Sequence, residues 1–170
     1  MSHNLNQTIK LSKDLTLDDT GGATDVDACF TVTGTVKLEK LYLEVTGGTD
    51  VTNATAVYFD VYSANGATAL TKNDGVLSGK TAGFVLYKND INSVTGAYID
   101  PTAAPVLTEE ATADLSIFHD CLVTEDRKSA AHVATTIRLH HTSSDAPHNQ
   151  TVTVHVEYIP VTADGLLVAA

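Results

Sequence analysis

Seven histidines, two cysteines and 21 acidic side chains are the groups in this 170-residue chain that could do chemistry, and their spacing limits what that chemistry can be. His140 and His141 are adjacent. Neighbouring side chains on a strand point to opposite faces, so this pair cannot chelate one ion together. His140, His148 and His155 could approach one another around a hairpin, but the stretch lacks the His-x-His pair and downstream Glu of a cupin metal site. The metal arrangement left open is one shared between subunits on a symmetry axis. Asp25 and Asp27, near Asp18 and Asp19, could hold Ca²⁺ weakly, without the D-x-D-x-D-G loop of a dedicated site.

Nucleophilic catalysis needs a Ser, Thr or Cys activated by a His that an acid orients. Ser116, His119 and Asp120 are close in sequence, but on one strand they alternate faces, and nothing resembles G-x-S-x-G. The carboxylate pairs Asp18-Asp19, Glu109-Glu110 and Glu125-Asp126 fall in expected loops. Exposed loops lack the desolvation that drives two pKa values apart for acid/base work. Gly21-Gly22 and Gly47-Gly48 lack the spacing and the Lys of a phosphate-binding loop. Cys29 and Cys121 fit no metal or redox spacing and sit in apolar strands. They read as small buried hydrophobes, with a disulfide between them left open. The expectation is a protein that is not an enzyme, with no catalytic, metal or cofactor-binding residues and no cofactor.

Composition says what must position these groups. Apolar residues make up 43% of the chain but aromatic ones only 6%, with no Trp, so the core must be built from Val, Leu, Ile and Ala. The 25 threonines reinforce this, because Val and Thr are stiff at χ1 and suit a pleated surface. A net charge of −11, with no basic cluster larger than Arg127-Lys128, repels polyanions, so neither nucleic acid nor an anionic membrane is an expected partner. Met1 to Asn4 form no basic leader and no run approaches the 18 or so apolar residues of a membrane span, which points to synthesis and residence in a cytosol. The N-x-T triplets at Asn6, Asn53 and Asn149 are then chance matches.

Period-two alternation marks strands near 8–17, 28–33, 35–46, 56–62, 82–87, 93–99, 114–122, 134–142, 151–159 and 166–169. Turn residues at Gly21-Gly22, Gly47-Gly48, Asn65-Gly66, Asp74-Gly75 and Asp164-Gly165 separate several of them. The fold class that follows is all-β, a single antiparallel β-sandwich domain over 1–170, jelly-roll-like, with eight to ten strands. Residues 101–112 read as a crossover loop and 125–132 as a helical turn or two. Within 35–46 the apolar positions slip by one between Glu39 and Leu41, which predicts a β-bulge near Lys40. The segments around 137 and 154 read as a hairpin pairing 141 with 152, 139 with 154 and 137 with 156. Ile137, Leu139, His141, Val152, Val154 and Val156 then face the core, and Arg138 stands across from His155, close to Glu157, on the outside.

The stretch TTIRLHHTSSDAPHNQTVTVHVEYIPVTADGLL, with the Thr-rich, small-residue body before it, resembles the jelly-roll decoration or cement proteins of tailed bacteriophages. Thr135 to Gly165 carries the motif-like part of that likeness. The resemblance implies a homo-oligomeric, often trimeric, subunit that binds the major capsid protein and stabilises the capsid lattice on the virion surface after assembly in the host cytoplasm. It transfers no residue-level site. Chain ends usually fray unless held, so the segment around Ile9 and Leu11 and the stretch Leu166-Leu167-Val168 are the expected partner contacts. The competing reading is a carbohydrate-binding or adhesion sandwich, for which Tyr58, Tyr62, Tyr87 and Tyr98 would have to replace the missing Trp as stacking platforms.

Overall fold

A strand buried on one face needs alternating residues, and a sandwich needs two such sheets closed over a shared core. The computed structural model describes residues 7–17, 24–48, 55–71, 75–88, 107–110, 121–127, 133–142 and 150–170 and has that form. Its strands are β1 (Ile9–Leu17), β2 (Thr24–Thr33), β3 (Thr35–Gly47), β4 (Thr55–Ser63), β5 (Gly66–Ala69), β6 (Val85–Lys88), β7 (Leu107–Glu110), β8 (Cys121–Thr124), β9 (Thr135–Thr142), β10 (Gln150–Pro160) and β11 (Leu166–Ala169). One sheet runs β1-β10-β3-β6-β7, with β8 also on β3; the other runs β11-β2-β9-β4-β5. We call them the first and second sheet. Among the described residues there is no helix.

The pairing is nested. Strand β1 lies antiparallel to β10, β2 to β9, β3 to β8 and β4 to β5. A ribbon paired end to end in this way and rolled so that successive pairs fall in alternate sheets is a jelly roll. Strands β6 and β7 extend the first sheet beyond β3, and β11 extends the second beyond β2.

The inward rows meet in one core. Val152, Val154, Val156 and Tyr158 of β10 and Leu38, Leu41 and Leu43 of β3 face Phe30, Val32, Phe59, Ile137 and Leu139 of the second sheet, all essentially inaccessible. Burying each such side chain contributes about 1.5–3 kcal/mol. The bulge expected near Lys40 is present: Glu157 pairs with Lys40 and Tyr158 with Leu38, leaving Glu39 as the extra residue. A second register shift in β2, between Ala28 and Phe30, turns Phe30 and Val32 inward and leaves Asp25 and Asp27 on the inner side before it. Lys13 stands in the inward row of the edge strand β1, where its Nζ donates to the carbonyls of Ala28, at 3.0 Å, and Ala170. An inward charge on an edge strand discourages further strand addition, and here it also ties the rims of the two sheets together.

Several expectations need correction. The 137–156 hairpin does not form: β9 pairs with β2 and β4, whereas β10 pairs with β1 and β3. All six residues assigned to the core are nevertheless buried, because the two strands face each other across the sandwich. Part of the 101–112 segment, read as loop, is strand β7, so Glu109 and Glu110 stand in a strand. The short β5 was not anticipated, β2 starts four residues earlier than expected, and β6 starts three residues later. Residues 125–127 are not helical. The strand expected at 93–99, residues 114–120 of the one expected at 114–122, and 128–132 lie outside the described residues.

Candidate functional site

Strand β4 alternates Val57, Phe59 and Val61 toward the core with Tyr58, Asp60 and Tyr62 outward, and β9 alternates Ile137 and Leu139 inward with Arg138 and His140 outward. Register places Tyr58 beside His140 and Asp60 beside Arg138. The five outward side chains form one cluster on the outer face of the second sheet. Arg138 grips Asp60 with two bonds, Nε to Oδ1 at 2.9 Å and Nη2 to Oδ2 at 2.6 Å. His140 Nε2 lies 2.8 Å from the same Oδ2. The Tyr58 and His140 rings stack with centroids 4.3 Å apart, and the Arg138 guanidinium lies 4.1 Å from the centre of the Tyr62 ring.

Asp60 is 2% exposed, although it lies on an outer face. Its neighbours wall it off, and a carboxylate removed from water must be paired to persist. The hydrogen bond that Arg138 donates to Asp60, together with the Asp60 charge, holds the guanidinium above its usual range against the opposing effect of burial. Burial, then the Asp60 charge, pushes the Tyr58 hydroxyl up.

The first sheet carries a related motif on its outer face. His155 stacks on Tyr42, its register partner, at 4.6 Å. Glu157 next to it bonds Lys10 at 2.9 Å and approaches Lys40 at 3.5 Å. Burial opposes ionisation of Glu157, but the hydrogen bond from Lys10 and the charges of both lysines hold its carboxyl below the usual range. Arg138 therefore does not stand across from His155 near Glu157; the sandwich lies between them, and each has its own partners. For the same reason His140 and His155 cannot share an ion, while His148 lies outside the described residues.

Two further places gather polar groups. At the end of the sandwich built by the turns 33–35, 63–66, 124–127 and 160–165 is a groove of about 470 Å³ lined by Glu125, Asp126, Arg127, Asp164, Asn65 and several hydroxyls. Its charges are already spoken for. Glu125 accepts from the Gly34 amide and Arg127 Nε, both at 3.0 Å, Arg127 also bonds Asp164, and Asn65 donates to Asp126 at 2.6 Å. Inside the sandwich, His141 is 1% exposed, and neither ring nitrogen has a hydrogen-bond partner. The nearest carboxylate oxygen, Asp27 Oδ2, is 3.5 Å from its Nε2.

Among the described residues, no three His, Cys, Asp or Glu side chains stand close enough to hold a metal ion. Ser116, His119, Asp120, Asp18 and Asp19 lie outside the described residues. Cys29 and Cys121 form no disulfide and are both buried, in different sheets. Of the expected contact residues, Ile9 and Leu11 pack against the core, Leu167 is part of it, Leu166 is half-buried, and Val168 is half in solvent. No family model, curated protein or solved structure matches the chain.

The Asp60 cluster was missed in the sequence. Its outward residues could be read from the alternation in β4 and β9, but their adjacency depends on a pairing between strands far apart in the chain.

Proposed function

We propose that the protein is a structural subunit of a virus particle, a decoration or cement subunit that binds the major capsid protein of a tailed phage, associates with its own copies and stabilises the capsid lattice. This role has no chemical step, and it places the protein on the capsid surface after assembly in the host cytoplasm. The observation that carries it is the nested pairing of β1 with β10, β2 with β9, β3 with β8 and β4 with β5. That winding is a jelly roll, an architecture used by capsid proteins, and it accords with the phage-like Ile-Arg-Leu-His and Val-rich strands of the sequence. Jelly rolls also serve lectins.

A carbohydrate-binding role is the second reading, favoured by two tyrosines and planar polar groups on one sheet face. Against it, His140 stacks on Tyr58 and Arg138 covers one side of Tyr62, occupying ring faces that a sugar would need. Incubation with purified capsids followed by sedimentation tests the first reading. Saturable, stoichiometric co-sedimentation is expected. Its absence, together with glycan binding by the isolated chain, would overturn the capsid role.

A further inference from the structure

The two outer faces differ in charge. The first sheet presents Lys10, Asp14, Lys37, Lys40, Glu44 and Glu157 outward, a mixed and solvated surface. On the outer face of the second sheet, the described residues carry charge only at Asp60 and Arg138, and these neutralise each other. Thr, Ala, Val and Tyr fill the rest. Val26, Tyr62 and Val168, three of the five large apolar side chains exposed in the described residues, lie on this face, 44%, 36% and 50% accessible. A chain of net charge −11 thus has one sheet face with no net charge.

We infer that this face is a self-association surface, occupied by the same face of a second copy of this chain. Two copies of so acidic a chain repel over most of their surfaces and approach at lowest cost where the charge is cancelled. Depletion of Lys, Glu and Asp with retention of Tyr and Arg is the composition of an interface centre. The area suffices: β2, β9, β4, β5 and β11, with 10, 8, 9, 4 and 4 residues, rise ~3.3 Å per residue and lie ~4.8 Å apart, so the face spans about 550 Å². Two such faces bury about 1,100 Å², above the roughly 1,000 Å² that a specific interface must clear. Arg138, locked between Asp60 and Tyr62, meets the partner already ordered, so little side-chain entropy is lost there.

The inference rests on the association between copies included in the proposed role and deepens it by naming the face; it is read from mass in solution, whereas capsid binding is read from sedimentation with particles, so the two can fail separately. The test is the mass of the full chain by light scattering over roughly 5–200 µM, for the wild type, Val26→Lys, Val168→Lys and Leu122→Lys. Leu122, 58% exposed on the first sheet, is the control. The wild type and L122K are expected to associate, and V26K and V168K to dissociate at least tenfold more readily. A wild type that stays monomeric throughout, or an oligomer indifferent to V26K and V168K, would overturn the inference. Hydrogen exchange on the wild type guards against misfolded variants. Protection of β5 and β11 amides is expected to rise with concentration, and no rise would also count against the contact.

Discussion

Asp60 is the residue on which the outer face of the second sheet depends. It is buried, accepts three short contacts from Arg138 and His140, and lies under Tyr58 and Tyr62. Removing one member of a buried ion pair leaves the other charged without compensation, at a cost of about 3–5 kcal/mol. Asp60→Ala is therefore expected to lower unfolding stability by roughly that amount in urea titration, and Arg138→Met combined with it to recover a substantial part. Cys29 illustrates a different use of burial. Its thiol is pushed from 9.0 up to about 12, chiefly by desolvation. Below pH 9 the thiol is neutral in both folded and unfolded chains, and its contribution is intact. Between pH 9 and 12 only the unfolded chain releases the proton, so stability falls as pH rises through that window. The urea midpoint should drop less steeply there in Cys29→Ala, and Ellman's reagent at pH 8 should leave Cys29 unlabelled until the protein unfolds.

At the scale of elements, the bulge in β3 makes an unusual prediction. Glu39 is the residue without a partner on β10, and without it the sequence would alternate regularly from Val36 through Leu38 and Leu41 to Val45. Deleting Glu39 should keep every apolar side chain of β3 inward and move Tm by no more than about 5 °C, the scale of a 1–2 kcal/mol change in a chain this long. Deleting Tyr42 instead turns one half of β3 inside out, and loss of cooperative melting is expected. The turn after β10 is constrained more simply. A Cβ on Gly165 would stand 2.4 Å from the Thr35 carbonyl oxygen and 3.0 Å from that of Thr162, and both of these atoms are backbone. Gly165→Ala should cost about 2 kcal/mol, as overpacking does, measured by thermal unfolding.

For the whole molecule, the nested ribbon means that β1 can pair only after β10 has been placed, and β2 only after β9 or β11 has been, all of them far along the chain. Loops must close over most of the chain before their contacts reward them. Refolding from urea is expected in the millisecond-to-second range typical of sandwiches, with the rate insensitive to Val168→Lys, a change at the exposed second-sheet edge. Microsecond refolding would be incompatible with this winding. The same topology separates the charged first-sheet face from the neutral second-sheet face, an asymmetry that no single segment displays.

Alternation of Val, Thr and Leu was enough to reveal an all-β sandwich, the inward rows of β9 and β10, the burial of both cysteines and the slip near Lys40. These are properties of one strand at a time, set by whether a side chain points in or out. Tertiary structure alone decided which strands are neighbours. A side chain pointing into a sandwich is inward from either sheet, so Ile137 and Val156 satisfied a hairpin and the observed cross-core packing equally well. Pairing depends on contacts between distant segments, which is why Asp60, Arg138 and His140 became one cluster only when β4 and β9 came together.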